Sequence, residues 1–137
     1  GVYYGWSHTF KFTVRPGNRN RLLAYDELAR KEGNTYAVIN FAEDVQDLLI
    51  ETVVDLLNHT NPHTGLRYAD DPALNFIELQ NEDSIFFFTN EGAYNDFPTY
   101  AAELRKRYAG WLTQKYGSRD ALARAWVGAL EANEQLE

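Results

Sequence analysis

The clearest pattern of apolar and polar positions lies in residues 42–58. Apolar side chains recur there every three or four residues, a spacing that places them on one stripe of an α-helix. Asn40 is the predicted N-cap, because Glu43 follows three residues later as in a capping box. Since an apolar stripe must be buried, we expect this helix to cover a sheet with six side chains: Val45, Leu48, Leu49, Val53, Leu56 and Leu57.

A second helical pattern begins at Pro98, a residue that is tolerated in the first turn of a helix. Asp96 precedes it as the predicted N-cap, and Gly117 ends the helix. Ser118 predicts the start of a shorter helix that ends near Gly128. The apolar stripe of the longer helix contains Tyr100, Leu104, Tyr108, Trp111 and Leu112.

Residues 18–40 form a long connection ahead of the first of these helices. The pattern predicts a short helix over residues 22–30, which stops at Gly33, and a short extended piece over residues 35–39. Connections of this length are usually functional or disordered. We therefore expect this segment to form one wall of a substrate cleft.

Two segments predict β-strands. Residues 1–10 are rich in Tyr and Trp, and aromatic residues favour strands. Residues 74–79 form a short apolar run that leads into the polar pair Asn81-Glu82. We expect the two strands to run parallel to each other, with Asn81-Glu82 at the carboxyl end of the second strand.

Alternation along the second strand places Ile77 and Leu79 on one face. The other face carries Phe76, Glu78, Gln80 and Glu82. A buried strand with one carboxyl-lined face is typical of a barrel strand that leads to an active site at its carboxyl end.

Composition excludes several classes of function. The 137 residues allow one ordinary domain, and 45% hydrophobic residues are enough for a packed core. The net charge of −7 argues against a nucleic-acid partner, which would need clustered basic residues. The chain has no cysteine for a disulfide or a thiolate metal site. No apolar run approaches the ~18 residues of a membrane span.

Several stretches of the chain resemble one clan of enzymes. Residues 78–82, with the sequence Glu-Leu-Gln-Asn-Glu, look like the end of the fourth strand in retaining (β/α)-barrel glycoside hydrolases. This clan includes cellulase-like and β-galactosidase-like families. Residues 104–118, with Leu122 and Trp126, resemble the helix that follows this strand. The resemblance extends over residues 1–128.

The resemblance implies roles for particular residues. Glu82 would be the general acid/base, and Asn81 would bind the sugar hydroxyl next to the reacting carbon. His8, near the end of the first strand here, would contact the sugar in the cleavage subsite, although a structural histidine is an equal alternative. In the aromatic loop that follows Glu82, Tyr94 is the candidate for stacking on a sugar, because its hydroxyl tolerates exposure.

The fold that the resemblance implies is α/β, a partial TIM (β/α)8 barrel with about the third and fourth strand-helix units. Residues 1–137 would be the central part of a single barrel domain. Such barrels need about 250 residues, so we expect a longer protein. The nucleophile, a Glu at the end of the seventh strand, would lie beyond residue 137, and the isolated chain would be inactive.

The expected partners are a carbohydrate substrate and the remainder of the barrel, with self-association if the chain is expressed alone. No cofactor or metal is expected, and the resemblance favours a secreted or extracytoplasmic protein. Three alternatives stay open. The chain could be a non-catalytic carbohydrate-binding or scaffolding barrel relative, an unrelated α/β barrel in which Asn81-Glu82 is coincidental or binds a metal, or a complete small α/β domain.

Overall fold

The computed structural model describes residues 4–7, 13–78 and 92–131. Short 3-10 turns lie at Pro16–Arg21, Val38–Asn40, Tyr68–Asp70 and Ala93–Asp96. The helices and strands, in chain order, are β1 (Tyr4–Ser7), α1 (Tyr25–Ala29), α2 (Glu43–Asn58), β2 (Leu74–Glu78), α3 (Pro98–Tyr116) and α4 (Arg119–Ala125). Both long helices were predicted from apolar periodicity, and both are confirmed. None of the described helices is long and apolar enough to cross a membrane.

The two strands pair in parallel, as predicted. Gly5, Trp6 and Ser7 of β1 lie opposite Phe76, Ile77 and Glu78 of β2. The register shifts after Tyr4, which lies opposite Leu74, so β2 carries one extra residue there. Two adjacent parallel strands are what the third and fourth units of a barrel would contribute, but the barrel itself stays a prediction.

The hydrophobic core lies around the chain that connects β1 to α2. Residues 13–42 of this chain are described, and they are called the connection from here on. The buried side chains of the core come from the connection, from the first half of α2 and from the start of α3: Val14, Leu22, Leu28, Val38, Ile39, Ala42, Val45, Leu48, Phe97 and Tyr100. Burial of an apolar side chain of this size contributes roughly 1.5–3 kcal/mol. The long connection is therefore a packed part of the fold, and its role as one wall of a substrate cleft stays a prediction.

The prediction that α2 covers a sheet with six buried side chains was wrong. Of those six, only Val45 and Leu48 are buried, and they pack on the connection. Further along the helix the apolar residues are half-buried or, like Ile50 and Val54, exposed. The helix is buried only where the connection and the start of α3 reach it.

The predicted burial of β2 was also wrong. Asn75 and Phe76 are exposed, and Leu74, Ile77 and Glu78 are half-buried. A strand is buried on both faces when helices cover the sheet. Among the described residues, the core side chains gather around the connection and leave β2 outside.

Three local predictions were wrong. Residues 35–39 are not extended, since Ile39 N–H donates to Thr35 O at 3.0 Å and a 3-10 turn follows. The N-cap of α2 is Ala42, not Asn40, and no side chain caps it. Phe97 takes the N-cap position of α3, while Asp96 pairs with Lys31 at 2.8 Å.

The end of α3 follows the prediction. Gly117 adopts a left-handed conformation, with φ of 74°, and its N–H donates to Thr113 O at 2.8 Å. Ser118 then caps α4, because its Oγ accepts a hydrogen bond from Ala121 N–H at 3.2 Å. The chain changes direction sharply here, and α4 contacts α3. Each helix of this pair has a buried leucine, Leu112 in α3 and Leu122 in α4.

Gly33 is required where the connection folds back on itself, so Gly33→Ala should destabilise the chain. Its φ is 77°, and a Cβ atom would lie 2.6 Å from Val14 O. We expect a loss of about 2–4 kcal/mol in the free energy of unfolding, measured by chemical denaturation. Gly65→Ala is the matched control, because Gly65 has φ of 71° and no atom within 4 Å of the added Cβ. It should cost only about 1 kcal/mol. Equal losses in both variants would contradict the close approach of Val14.

Candidate active site

The candidate site is defined by the carboxyl ends of the two parallel strands. Ser7 and Glu78 are opposite each other in the register, so β1 and β2 end at the same edge of the sheet. His8 follows Ser7 directly in sequence, and Asn81-Glu82 follows three residues after Glu78. His8, Asn81 and Glu82 lie outside the described residues, and their roles stay predictions.

The face of β2 predicted to lead to Glu82 is accessible. Phe76 is 54% exposed, and Glu78, two residues further on the same face, is half-buried. An exposed aromatic ring beside a carboxylate combines an apolar surface with a hydrogen-bond acceptor. Sugars present both apolar faces and hydroxyl groups, so the chemistry of this face suits them.

Tyr94 lies in the 3-10 turn Ala93–Asp96, ahead of α3. Its ring is half-buried and contacts Phe41 of the connection, with the ring centroids 6.2 Å apart and the planes tilted by 53°. Its hydroxyl oxygen is buried, whereas the prediction of sugar stacking assumed an exposed hydroxyl. Substrate binding by Tyr94 stays a prediction, and its contact with Phe41 gives it a second role in anchoring this turn.

The chain that follows the candidate site is fixed to the connection at several points. Asp96 pairs with Lys31 at 2.8 Å, and Phe97 is buried in the core. The Glu27 carboxylate, itself only 7% exposed, accepts hydrogen bonds from Thr99 N–H at 3.0 and 3.1 Å and from the Thr99 hydroxyl. Glu27 therefore caps the start of α3 from a position 72 residues earlier in the chain.

Sequence reasoning missed the role of Glu27. It lies beside Asp26 in the first turn of α1, where acidic residues are common, so its local sequence predicts a solvated carboxylate. Its position beside Leu28 gives no indication of burial, because adjacent residues of a helix point in different directions. The partner Thr99 leaves no signal near Glu27 in sequence.

A cleft of about 380 Å³ lies between α2, α3 and Leu23. On its wall the Asp44 carboxylate accepts hydrogen bonds from Leu23 N–H at 2.7 Å and from the Tyr100 hydroxyl at 3.0 Å. Burial, followed by the negative charge of Asp44 and its hydrogen bond, raises the pKa of Tyr100 well above its usual value. Tyr100 therefore stays protonated and acts as a donor.

The other polar groups of this cleft satisfy one another. Arg107 donates to Glu103 at 2.8 Å, to Glu43 at 3.2 Å and to Phe41 O at 3.1 Å. The hydrogen bond from Arg107 lowers the pKa of Glu103. The hydrogen bonds that line the cleft thus join α2 to α3 and hold the connection against both. Within the described ranges, no three His, Asp or Glu residues are grouped so that they could hold a metal ion.

Comparisons of the chain with protein-family models, with curated proteins and with solved structures found no match.

The raised pKa of Tyr100 predicts a loss of stability in alkali. The folded-state pKa lies above the unfolded value of about 10, so this stabilisation is complete below about pH 10 and is lost as the pH rises through the folded-state pKa. At about pH 7, Tyr100→Phe should cost about 0.5–1.5 kcal/mol through the lost hydrogen bond. At about pH 11, ionisation of Tyr100 in the unfolded state should lower the free energy of unfolding of the wild type by about 1.4 kcal/mol. The variant has no hydroxyl group at this position and should not show this loss.

Chemical denaturation of both proteins at the two pH values tests this expectation. Tyr108→Phe is the matched control, because it removes the same hydroxyl group from a side chain that is 49% exposed. A constant difference between wild type and Tyr100→Phe across this range would contradict the assignment of the donor.

Proposed function

We propose that the protein is a retaining glycoside hydrolase that cleaves O-glycosyl bonds in oligo- or polysaccharides. In this proposal the chain forms about the third and fourth units of a (β/α)8 barrel and supplies the acid/base Glu82. The observation that carries the proposal is the parallel pairing of β1 and β2, whose carboxyl ends share one edge. The three polar residues of the resemblance, His8, Asn81 and Glu82, follow these two ends in sequence.

Retaining hydrolysis needs two carboxyl groups about 5–5.5 Å apart. One protonates the leaving oxygen, and the other attacks the anomeric carbon. Glu82 is proposed as the proton donor, a role that requires a raised pKa. The nucleophile would be a Glu at the end of a further strand of the barrel. Glu78 is not a convincing substitute, because it lies within β2, four residues before Glu82 in sequence.

The acid role of Glu82 predicts a loss that depends on the leaving group. In the protein that carries this chain, Glu82→Gln should lower kcat/KM for a natural glycoside by about 10²–10⁴-fold, because the leaving oxygen is no longer protonated. Aryl glycosides with acidic phenols need little protonation, so their cleavage step should lose much less. Steady-state kinetics with a series of leaving groups measures this dependence.

The matched control is Glu32→Gln, which makes the same change on an exposed side chain after α1 and should leave the kinetics unchanged. Wild-type activity of Glu82→Gln on a natural glycoside would refute the assignment. A wild-type protein that binds carbohydrate but cleaves no glycoside would instead identify the non-catalytic relative.

Asn81 is proposed to hydrogen-bond the sugar hydroxyl next to the reacting carbon, an interaction that strengthens in the transition state. Asn81→Ala should therefore lower kcat by about 10²-fold and raise KM by much less. Asn75→Ala is the control, since Asn75 is an exposed asparagine on β2 itself. If KM alone changed, Asn81 would bind the substrate equally in the ground state and in the transition state, and its proposed role would be wrong.

A further inference from the structure

One side of α2 carries an apolar stripe that lies at the surface. Ile50 is 58% exposed and Val54 is 47% exposed, and half-buried Val53 and Leu57 lie beside them. These four positions follow the spacing of one helix face. We call them the aliphatic face of α2. A continuous apolar face is unusual on a surface helix, whose outer side is normally polar.

Negative charge surrounds this face. α2 contains five carboxylates and no basic residue. Arg21 engages Glu51, and Arg107 engages Glu43. Asp47 is exposed three residues before Ile50, and Asp55 is exposed next to Val54. A partner of the aliphatic face must therefore be apolar at its centre and positively charged at its rim.

The exposed face of α3 has that chemistry. Tyr108 and Trp111 are 49% and 47% exposed and stack on each other, with centroids 5.8 Å apart and planes 17° apart. Lys115 Nζ lies 4.5 Å from the Trp111 ring centre, and Arg105 is exposed three residues before Tyr108. We call these four residues the aromatic face of α3. Trp, Tyr and Arg are the residues most enriched at the centres of protein interfaces.

The same complementarity already joins the two helices within one molecule. Near the start of α2, Glu43 pairs with Arg107 of α3 at 3.2 Å, and Asp44 accepts from Tyr100 at 3.0 Å. The two faces defined above are exposed, so they do not cover each other in the same chain. A second copy of the chain offers to each face the complementary one.

We propose that the aliphatic face of α2 on one copy of this chain docks on the aromatic face of α3 on the next copy. The two surfaces differ, so the contact is heterologous and each bound copy still offers one free face. Association then continues beyond a dimer instead of stopping there. Two helix faces make a small interface, and we expect a dissociation constant in the range of about 10–100 µM.

Sedimentation velocity on the 137-residue chain tests the proposal, with wild type between about 10 and about 500 µM. We expect a series of species beyond the dimer. A change from about 0.05 to about 0.5 M NaCl should weaken the association severalfold, because screening removes the attraction between the charged rims. A wild-type chain that stays monomeric throughout would overturn the proposal.

Two variants separate the faces. Ile50→Ser with Val54→Ser removes the aliphatic face, and Tyr108→Ser with Trp111→Ser removes the aromatic face. Each variant alone should be monomeric, with at least a tenfold loss of association. An equimolar mixture should form a heterodimer and nothing larger, because each variant retains the face that the other lacks.

The mixture is also the test of folding, since two unfolded variants cannot restore a specific heterodimer. Leu66→Ser, in the loop after α2, is the control, because Leu66 is 41% exposed and lies on neither face. It should associate like wild type. Variants that still self-associate, or a mixture that stays monomeric, would show that the contact uses other surfaces and would overturn the proposal.

Discussion

The described fold depends on one buried carboxylate. Glu27 is almost fully removed from water, and an unpaired charge in that position would be strongly destabilising. Thr99 provides both its N–H and its hydroxyl, so the charge is stabilised by hydrogen bonds and by the N-terminal end of α3. Because the bond joins α1 to the start of α3, it fixes where α3 begins. The pair Lys31–Asp96 and the burial of Phe97 reinforce the same junction.

Local patterns predicted the elements well. Apolar spacing gave α2 and α3 nearly to the residue, because both helices carry long stripes with a proline, a glycine or a polar residue near an end. Ser118 was found for the same reason, as its cap bond is made within its own turn. The parallel pairing of β1 with β2 was also predicted, but from the resemblance to a barrel rather than from the strands alone.

Contacts between distant residues explain what could not be predicted. Asp96 has the chemistry of an N-cap, but its carboxylate pairs with Lys31. At the start of α3, Glu27 accepts the hydrogen bond from Thr99 N–H instead. A stripe on α2 shows that a face is suited to burial without showing what buries it. Here the connection does so, and only over the first half of the helix. Of the candidate site, Tyr94 lies in the described chain, and its contact with Phe41 had no signal in sequence.

The position of the core bears directly on the candidate site. β2 ends at Glu78 as part of the sheet, and the chain from Tyr94 to Thr99 is held by the connection that follows β1. The described residues on either side of Asn81 and Glu82 are therefore both held, β2 by its pairing with β1 and residues 94–99 by the connection. Catalytic geometry depends on such support, because a displacement of about 1 Å can cost 10²-fold in rate. A packed connection can provide that support to residues 94–99, whereas a disordered one could not.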